Sequence, residues 1–247
     1  MFINCKLVIL ILMLTLDGQV LTGNIIGGHE SVPHSRPYMV LLERHMMNSK
    51  IRHCGGFLLN EDFVMTAAHC DASSYNVLLG VHNVRKSSET QNIPVVQTFP
   101  RKDYDATDFK NDIMLLKLSS KANFNKNVKP IALAGQDDGS LPKSCLISGW
   151  GRSDRNNNYM SLVLMEANVT LIDSRQCAKE NSYCTEGETG PGEGDSGGPL
   201  VCEDGKAYGV VSSSKPNQNG LQTYSYSKIP DYRSWIDSIM EPNGKFC

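Results

Sequence analysis

Eight cysteines in 247 residues constrain this chain more than any other feature. They are too many for an average cytosolic protein and too few, in a chain this long, for a fold held by disulfides alone. The N-terminus accounts for the count. Lys6 precedes a run at 7–16 that is apolar except for Thr15, followed by polar residues and a cleavage zone at 18–22. Such a run is too short to span a bilayer and too apolar for a surface loop, so residues 1–22 read as a secretory signal. The mature chain is then expected to be soluble, without a membrane span, and folded where disulfides form. Removing the signal also removes Cys5. Seven cysteines remain: Cys54, Cys70, Cys145, Cys177, Cys184, Cys202 and Cys247. An odd set leaves at least one without an internal partner. Cys247, the last residue, lies beyond Pro242-Asn-Gly244 and is the natural one to be left over, free to link two chains into a disulfide dimer.

Composition narrows the function classes. There are 24 Lys+Arg against 26 Asp+Glu, so a nucleic-acid partner, which requires a basic surface, is not expected. Hydrophobic content of 40% and small net charge exclude a disordered chain. The length suits one large domain or two small barrels sharing an interface.

After the signal, short β-like runs alternate with turn residues: 38–42, 56–59, 63–66, 77–81, 95–99, 113–118, 146–150, 165–172, 200–201, 207–212 and 223–229. So many short runs at close spacing argue an all-β barrel or sandwich. The stretch 132–143, with Gly135 and Gly139, is the expected linker between two β-rich halves. Only one segment has helical period: Tyr232, Trp235, Ile236 and Ile239 follow Pro230-Asp231 at i, i+3, i+4 and i+7, which predicts a C-terminal amphipathic helix over about 231–240.

Three segments carry chemistry: Thr66-Ala-Ala-His69-Cys70, Asp112-Ile-Met-Leu-Leu-Lys-Leu118, and Gly194-Asp195-Ser196-Gly197-Gly198-Pro199-Leu200. Singly they read as a packed histidine, a turn aspartate and a glycine turn. Together they supply what nucleophilic catalysis requires. A serine hydroxyl needs an imidazole base, and the imidazole needs a carboxylate to fix its tautomer. Glycines let backbone N–H groups point into open space, where an oxyanion can be held.

In these motifs, and from Ile25-Ile-Gly-Gly28 to the C-terminal helix, the chain resembles the trypsin/chymotrypsin-type serine proteases. The resemblance implies two six-stranded antiparallel β-barrels, over about 37–130 and 145–230, with the active site between them. It implies His69 as general base, Asp112 as its orienter and Ser196 as nucleophile, with the N–H groups of Gly194 and Ser196 as oxyanion hole. Ser212 falls where the family supports the buried aspartate. Cys54 would pair with Cys70, Cys145 with Cys202, and Cys177 with Cys184. A further family bridge has no cysteines here; Gly192 stands at one of its ends. That absence, with Pro33-His-Ser-Arg-Pro-Tyr-Met39, resembles the granzyme and mast-cell protease branch, and a location outside the cell or in a secretory granule. The competing reading of His53-Cys54 and His69-Cys70 as a zinc site is set aside, because a disulfide uses the cysteines and the triad uses His69. No cofactor is expected. Partners would be protein or peptide substrates and serpin-type inhibitors.

The same resemblance implies that a freed Ile25 ammonium inserts against Asp195. Gly23-Asn24, not Arg or Lys, precedes Ile25, so the expectation is an activation dipeptide at 23–24 removed by a dipeptidyl peptidase. The protease domain would run from 25 to 247. Counting back from Ser196 puts Gly190 at the specificity-pocket floor, where a carboxylate would be needed for basic substrates. Pro191 follows, Glu193 is on the rim, Tyr224 is on the back wall, and Ser213 and Ser214 replace the usual Trp and Gly. A shallow pocket for small or medium uncharged side chains is expected, or one closed until substrate arrives. Granule proteases of this branch are generally basic, whereas here Lys6 and Asp17 leave together and the remainder has 23 positive and 25 negative groups. Lys121, Lys126 and Lys129 read as a solvated loop face. These departures leave a second hypothesis, a homologue acting as a binding or antimicrobial protein. A third, a structural secreted β-domain, gives no reason for the Gly-Asp-Ser-Gly turn. Asn168-Val-Thr170 is a glycosylation sequon whose use requires Asn168 to face solvent.

Overall fold

A computed structural model of the chain describes residues 25–86, 90–136, 142–152 and 159–241. The signal, the 23–24 dipeptide, Cys247 and part of the expected linker lie outside the described residues. Among the described residues thirteen strands dominate, and twelve of them form two closed antiparallel barrels.

The first barrel is made of β2 (Met39–His45), β3 (Ile51–Leu58), β4 (Phe63–Thr66), β5 (Ser74–Leu79), β6 (Gln91–Pro100) and β7 (Met114–Leu118), in the order β2-β3-β4-β7-β6-β5. Period-two alternation is plain in β5, where Tyr75, Val77 and Leu79 are buried and the residues between them are not. Phe57, Met65, Leu115 and Leu116 are buried in its core cluster.

The second barrel closes through β8 (Ser144–Gly149), β9 (Met165–Ile172), β10 (Ser182–Gly187), β13 (Gln222–Lys228), β12 (Ala207–Pro216) and β11 (Pro199–Cys202), with the two-residue β1 (His29–Glu30) added alongside β9. In β9, Ala167, Val169 and Leu171 point inward while Asn168 and Thr170 face out. The solvent exposure that the sequon requires is therefore met. Three disulfides tie the molecule: Cys54–Cys70, Cys145–Cys202 and Cys177–Cys184. The last joins the short helix α1 (Arg175–Lys179) to β10.

The C-terminal helix differs slightly from expectation. Its first turn, Ile229–Tyr232, is a 3-10 turn carrying Pro230, and the α-helix α2 (Arg233–Met240) starts two residues later than the pattern suggests. Tyr232 and Ile236 are buried on the first barrel's core, with Trp235 and Ile239 packed at its edge. A helix that follows the second barrel thus seals the first, and the two barrels share one interface. Arg101 sits over the rings of both Tyr232 and Trp235, 5.6 and 5.4 Å from their centroids.

Candidate active site

Each barrel contributes part of one site. His69 lies in the 3-10 turn Ala68–Cys70 that leaves β4. The turn is anchored at its end by the Cys54–Cys70 bridge to β3. Arg44 of β2 holds it from the other side, donating to the carbonyl oxygens of His69 (3.3 Å) and Asp71 (2.9 Å). Asp112 enters β7, the strand paired with β4, so the two side chains are delivered from neighbouring strands.

Asp112 is fully buried and fully engaged. Its Oδ1 accepts the His69 backbone N–H (2.8 Å), and its Oδ2 lies 2.6 Å from His69 Nδ1 and accepts the Ser212 hydroxyl at 2.6 Å. Its backbone carbonyl accepts the Ser227 hydroxyl at 2.9 Å. A carboxylate can only accept, so Nδ1 carries the imidazole proton and Nε2 is left as an acceptor. Phe109 stands edge-on to the imidazole at 5.6 Å, on a loop where Phe109 and Asn111 both adopt positive φ. Neither Phe109, Arg44 nor Ser227 was signalled by the sequence. Each is distant from the motifs along the chain, and only the folded strands bring them in.

Ser196 lies on the loop between β10 and β11. The loop docks onto the first barrel: Gly55 N–H donates to the Ser196 carbonyl at 2.7 Å, and a Cβ at Gly55 would stand 3.1 Å from Gly198 N. Gly197, at φ +83°, leaves no room for a Cβ beside Thr66 Oγ1. The amides of Asp195, Gly197 and Gly198 donate to Gly192, Val211 and Asp195 carbonyls. Among the described residues, the intervening amides of Gly194 and Ser196 donate to no protein acceptor. These two residues, on either side of Asp195, line one cleft together with His69.

Asp195 itself points inward. It is 1% exposed, and its two oxygens accept the N–H groups of Gly151 (2.7 Å) and Gly192 (2.8 Å). Burial pushes its carboxyl up to about 7, against the pull of those two bonds. Ile25 is also completely buried, packed with Met165, Tyr224 and Tyr226, and Ile26 bridges to Gly190. With Asn24 attached, the Ile25 nitrogen is an uncharged amide. Its backbone sits at φ +65°, a costly conformation for a β-branched residue.

Beside Ser196 lies a depression of about 340 Å³ bordered by Pro191, Glu193, Ser213, Ser214 and Tyr224. Gly190 does not reach it. The Tyr224 ring lies against Gly190 so closely that any Cβ there would fall within the ring, and the phenol, 2% exposed, forms the floor instead. Glu193 is paired with Arg152 at 2.6 Å, and Gly192 packs on the Arg152 backbone, where a side chain would clash. The sulfurs of Cys54 and Cys70 come within 4.8 Å of a ring nitrogen of His69. They are bonded to each other, so neither is a thiolate ligand for a metal.

The fold and this arrangement define a trypsin-type serine protease, and the family model for Trypsin matches residues 25–236: the chain belongs to that family. Within it, the chain is granzyme-like. It is 40% identical over 249 residues to Granzyme B(G,H) of Mus musculus, covering 96% of this chain and 99% of that one. It is 38% identical to Granzyme B of Homo sapiens, with 95% and 98% covered, and 40% identical to Duodenase-1 of Bos taurus, with 95% of each covered. The solved structure titled "Structure of GrC" superposes with a TM-score of 0.78 at 35% identity, covering 88% of this chain and all of that one. These similarities make the protein a serine endopeptidase.

Proposed function

We propose that the protein is a secreted endopeptidase that cleaves by a Ser-His-Asp acyl-enzyme mechanism after small or medium uncharged residues. The observation that carries this reading is the hydrogen-bonded line Ser212–Asp112–His69 in the same cleft as Ser196 and two undonated amides. Ser196 Oγ attacks the scissile carbonyl while His69 Nε2 takes its proton. Asp112 holds the Nδ1 tautomer and balances the imidazolium that forms. The amides of Gly194 and Ser196 receive the oxyanion, and the imidazolium then gives its proton to the leaving amine. Water repeats the sequence on the acyl-enzyme.

Specificity follows from the floor. No carboxylate stands at Gly190 or Tyr224 to meet an arginine or lysine, and Glu193 is already paired. Beyond Val211, β12 is held by β13 on one side only, which leaves Ser212–Ser214 as an edge for an extended peptide. Activation is the removal of Gly23-Asn24, which gives Ile25 an ammonium for Asp195. Secretion rests on the N-terminal signal. Among the described residues no helix is long and apolar enough to cross a membrane. The surface-facing Asn168 is a glycan acceptor in this reading.

The test is labelling with a fluorophosphonate probe on protein beginning at Ile25. An adduct that is lost in Ser196→Ala is expected, and one much weaker in protein beginning at Gly23. No adduct on the trimmed protein would refute the mechanism.

A further inference from the structure

The cleft at Ser196 has two wings, and only one has been given a role. The wing toward Ser213, Ser214 and Tyr224 takes the acyl half of a substrate. The other, about 690 Å³, runs over the Cys54–Cys70 bridge and is lined by Arg44, Arg52, His53 and Arg152. On the reading proposed above, the leaving-amine half of the substrate must cross it, because His69 and Ser196 separate the two wings.

The charge in this second wing is not what stability would select. Arg44 and Arg52 are direct cross-strand partners in the β2–β3 pair, so two guanidinium groups stand on one face of one ladder. Like charges in that position are destabilising, and a carboxylate would ordinarily be placed opposite. Arg44 is committed to the carbonyls of His69 and Asp71, and its buried Nε has no hydrogen-bond partner. Burial, with the Arg52 charge acting in the same direction, holds Arg44 below its ordinary value. Arg52 is exposed and has no carboxylate partner among the described residues. Glu193 is, among the described residues, the one carboxylate lining the wing, and Arg152 faces it. Among the described residues, three arginines line the wing with one paired carboxylate, a concentration of positive charge in a chain with more acidic than basic residues overall. A locally unfavourable arrangement, gathered at a cleft and focused by low-dielectric walls, is the signature of a surface built for an oppositely charged ligand.

We infer that this wing selects peptides carrying Asp or Glu at the first or second residue after the scissile bond, with Arg52 as the principal contact and Arg152 shared between the substrate and Glu193. The acidic side chain relieves the Arg44–Arg52 repulsion that the free enzyme carries. Selection on this side is independent of the uncharged pocket on the other, so the enzyme reads a short sequence and not a single residue.

The experiment uses trimmed protein and internally quenched peptides with one constant acyl half, followed by Ala-Ala, Glu-Glu or Lys-Lys. The readout is the ratio of kcat/KM values, which cancels effects common to all substrates. Glu-Glu is expected to exceed Ala-Ala by about tenfold, the product of two partly buried ion pairs of ordinary strength, with Lys-Lys below both. The preference should shrink in about 0.5 M salt. Arg52→Glu should invert the ratio, and Glu193→Gln, which removes the carboxylate facing Arg152, should raise it a few-fold. A wild-type Glu-Glu to Ala-Ala ratio within about twofold of one overturns the inference and leaves the protease reading intact, as does a preference untouched by Arg52→Glu. Failure to cleave any peptide, together with no fluorophosphonate adduct, overturns the protease reading and this inference with it.

Discussion

Two aspartates in this molecule are equally buried and treated in opposite ways. Asp112 receives three donors on its carboxylate, one of them a histidine able to become a cation. Asp195 receives two backbone amides and, among the described residues, nothing charged, and its carboxyl is pushed up to about 7. The difference is one of completeness. The surroundings of Asp112 are assembled within the fold, from His69 beside the paired strands β4 and β7 and from Ser212 of the second barrel. Those of Asp195 lack a cation, and in the proposed activation that cation is made by cutting the chain ahead of Ile25. In the proposed activation, one carboxylate is finished by folding and the other by proteolysis.

The comparison can be broken at either end. The largest effect is expected at Asp112: Asp112→Asn should lower kcat/KM by about four orders of magnitude, because the amide favours the wrong imidazole tautomer. Steady-state kinetics with the fold checked by circular dichroism measures this; a loss below tenfold would contradict the role. Next is Asp195→Asn. In protein beginning at Ile25 it strands a buried ammonium, with a stability loss of about 3–5 kcal/mol. In protein still carrying Gly23-Asn24 there is no ammonium to strand, and the loss should be smaller. Denaturant midpoints of the four species test this, and equal losses would show that Ile25 and Asp195 do not pair.

Acidity sharpens the contrast further. The folded Asp195 value, about 7, lies above the ordinary 3.8, so between them the untrimmed folded protein holds a proton that the unfolded chain has lost. Stability from this group is fully present below about pH 4 and declines as pH rises through about 7, by at most about 4 kcal/mol. Trimmed protein, with its ammonium in place, should not show the decline. Thermal midpoints at pH 5 and pH 8 for both forms decide the matter. The smallest effect is Ser212→Ala, which removes one of three donors to Asp112 and should lower kcat/KM about tenfold. Restoration by Ser212→Thr would tie that loss to the hydroxyl.

How much of this is legible in the sequence depends on whether a residue acts through its neighbours in the chain or through distant strands. The alternation in β5 and β9 and the apolar run of β7 mark those strands plainly. Strand β10 escapes, because Ser182-Tyr-Cys-Thr-Glu-Gly187 has no apolar alternation; six paired positions on β13 and the Cys177–Cys184 bridge make it a strand. β1 is too short to leave a pattern and exists only by pairing with β9. β6 begins ahead of Pro94, which reads as a break but is accommodated close to a bulge between Val95 and Gln97. The motif residues His69, Asp112 and Ser196 stand out because their chemistry needs particular side chains in particular local turns. Their supports do not. Nothing near Arg44 announces that it braces the His69 turn, and nothing near Tyr224 announces that its ring covers Gly190. Such contacts are made across sheets, where sequence distance carries no information.

One torsion gives the proposed trimming a mechanical side. The φ angle of Ile25 exists only while Asn24 is attached, because the Asn24 carbonyl carbon is one of its four atoms. At +65° it stores about 1–3 kcal/mol. Hydrolysis of that single bond abolishes the torsion, and its strain disappears along with the peptide plane. The Ile25 side chain is already seated in the barrel, so trimming has no large rearrangement to drive. The cut also removes the tether that would have let the segment be drawn back out. Activation as proposed then resembles a ratchet tooth dropping: the inserted end would lose both the strain that could expel it and the handle by which to pull it.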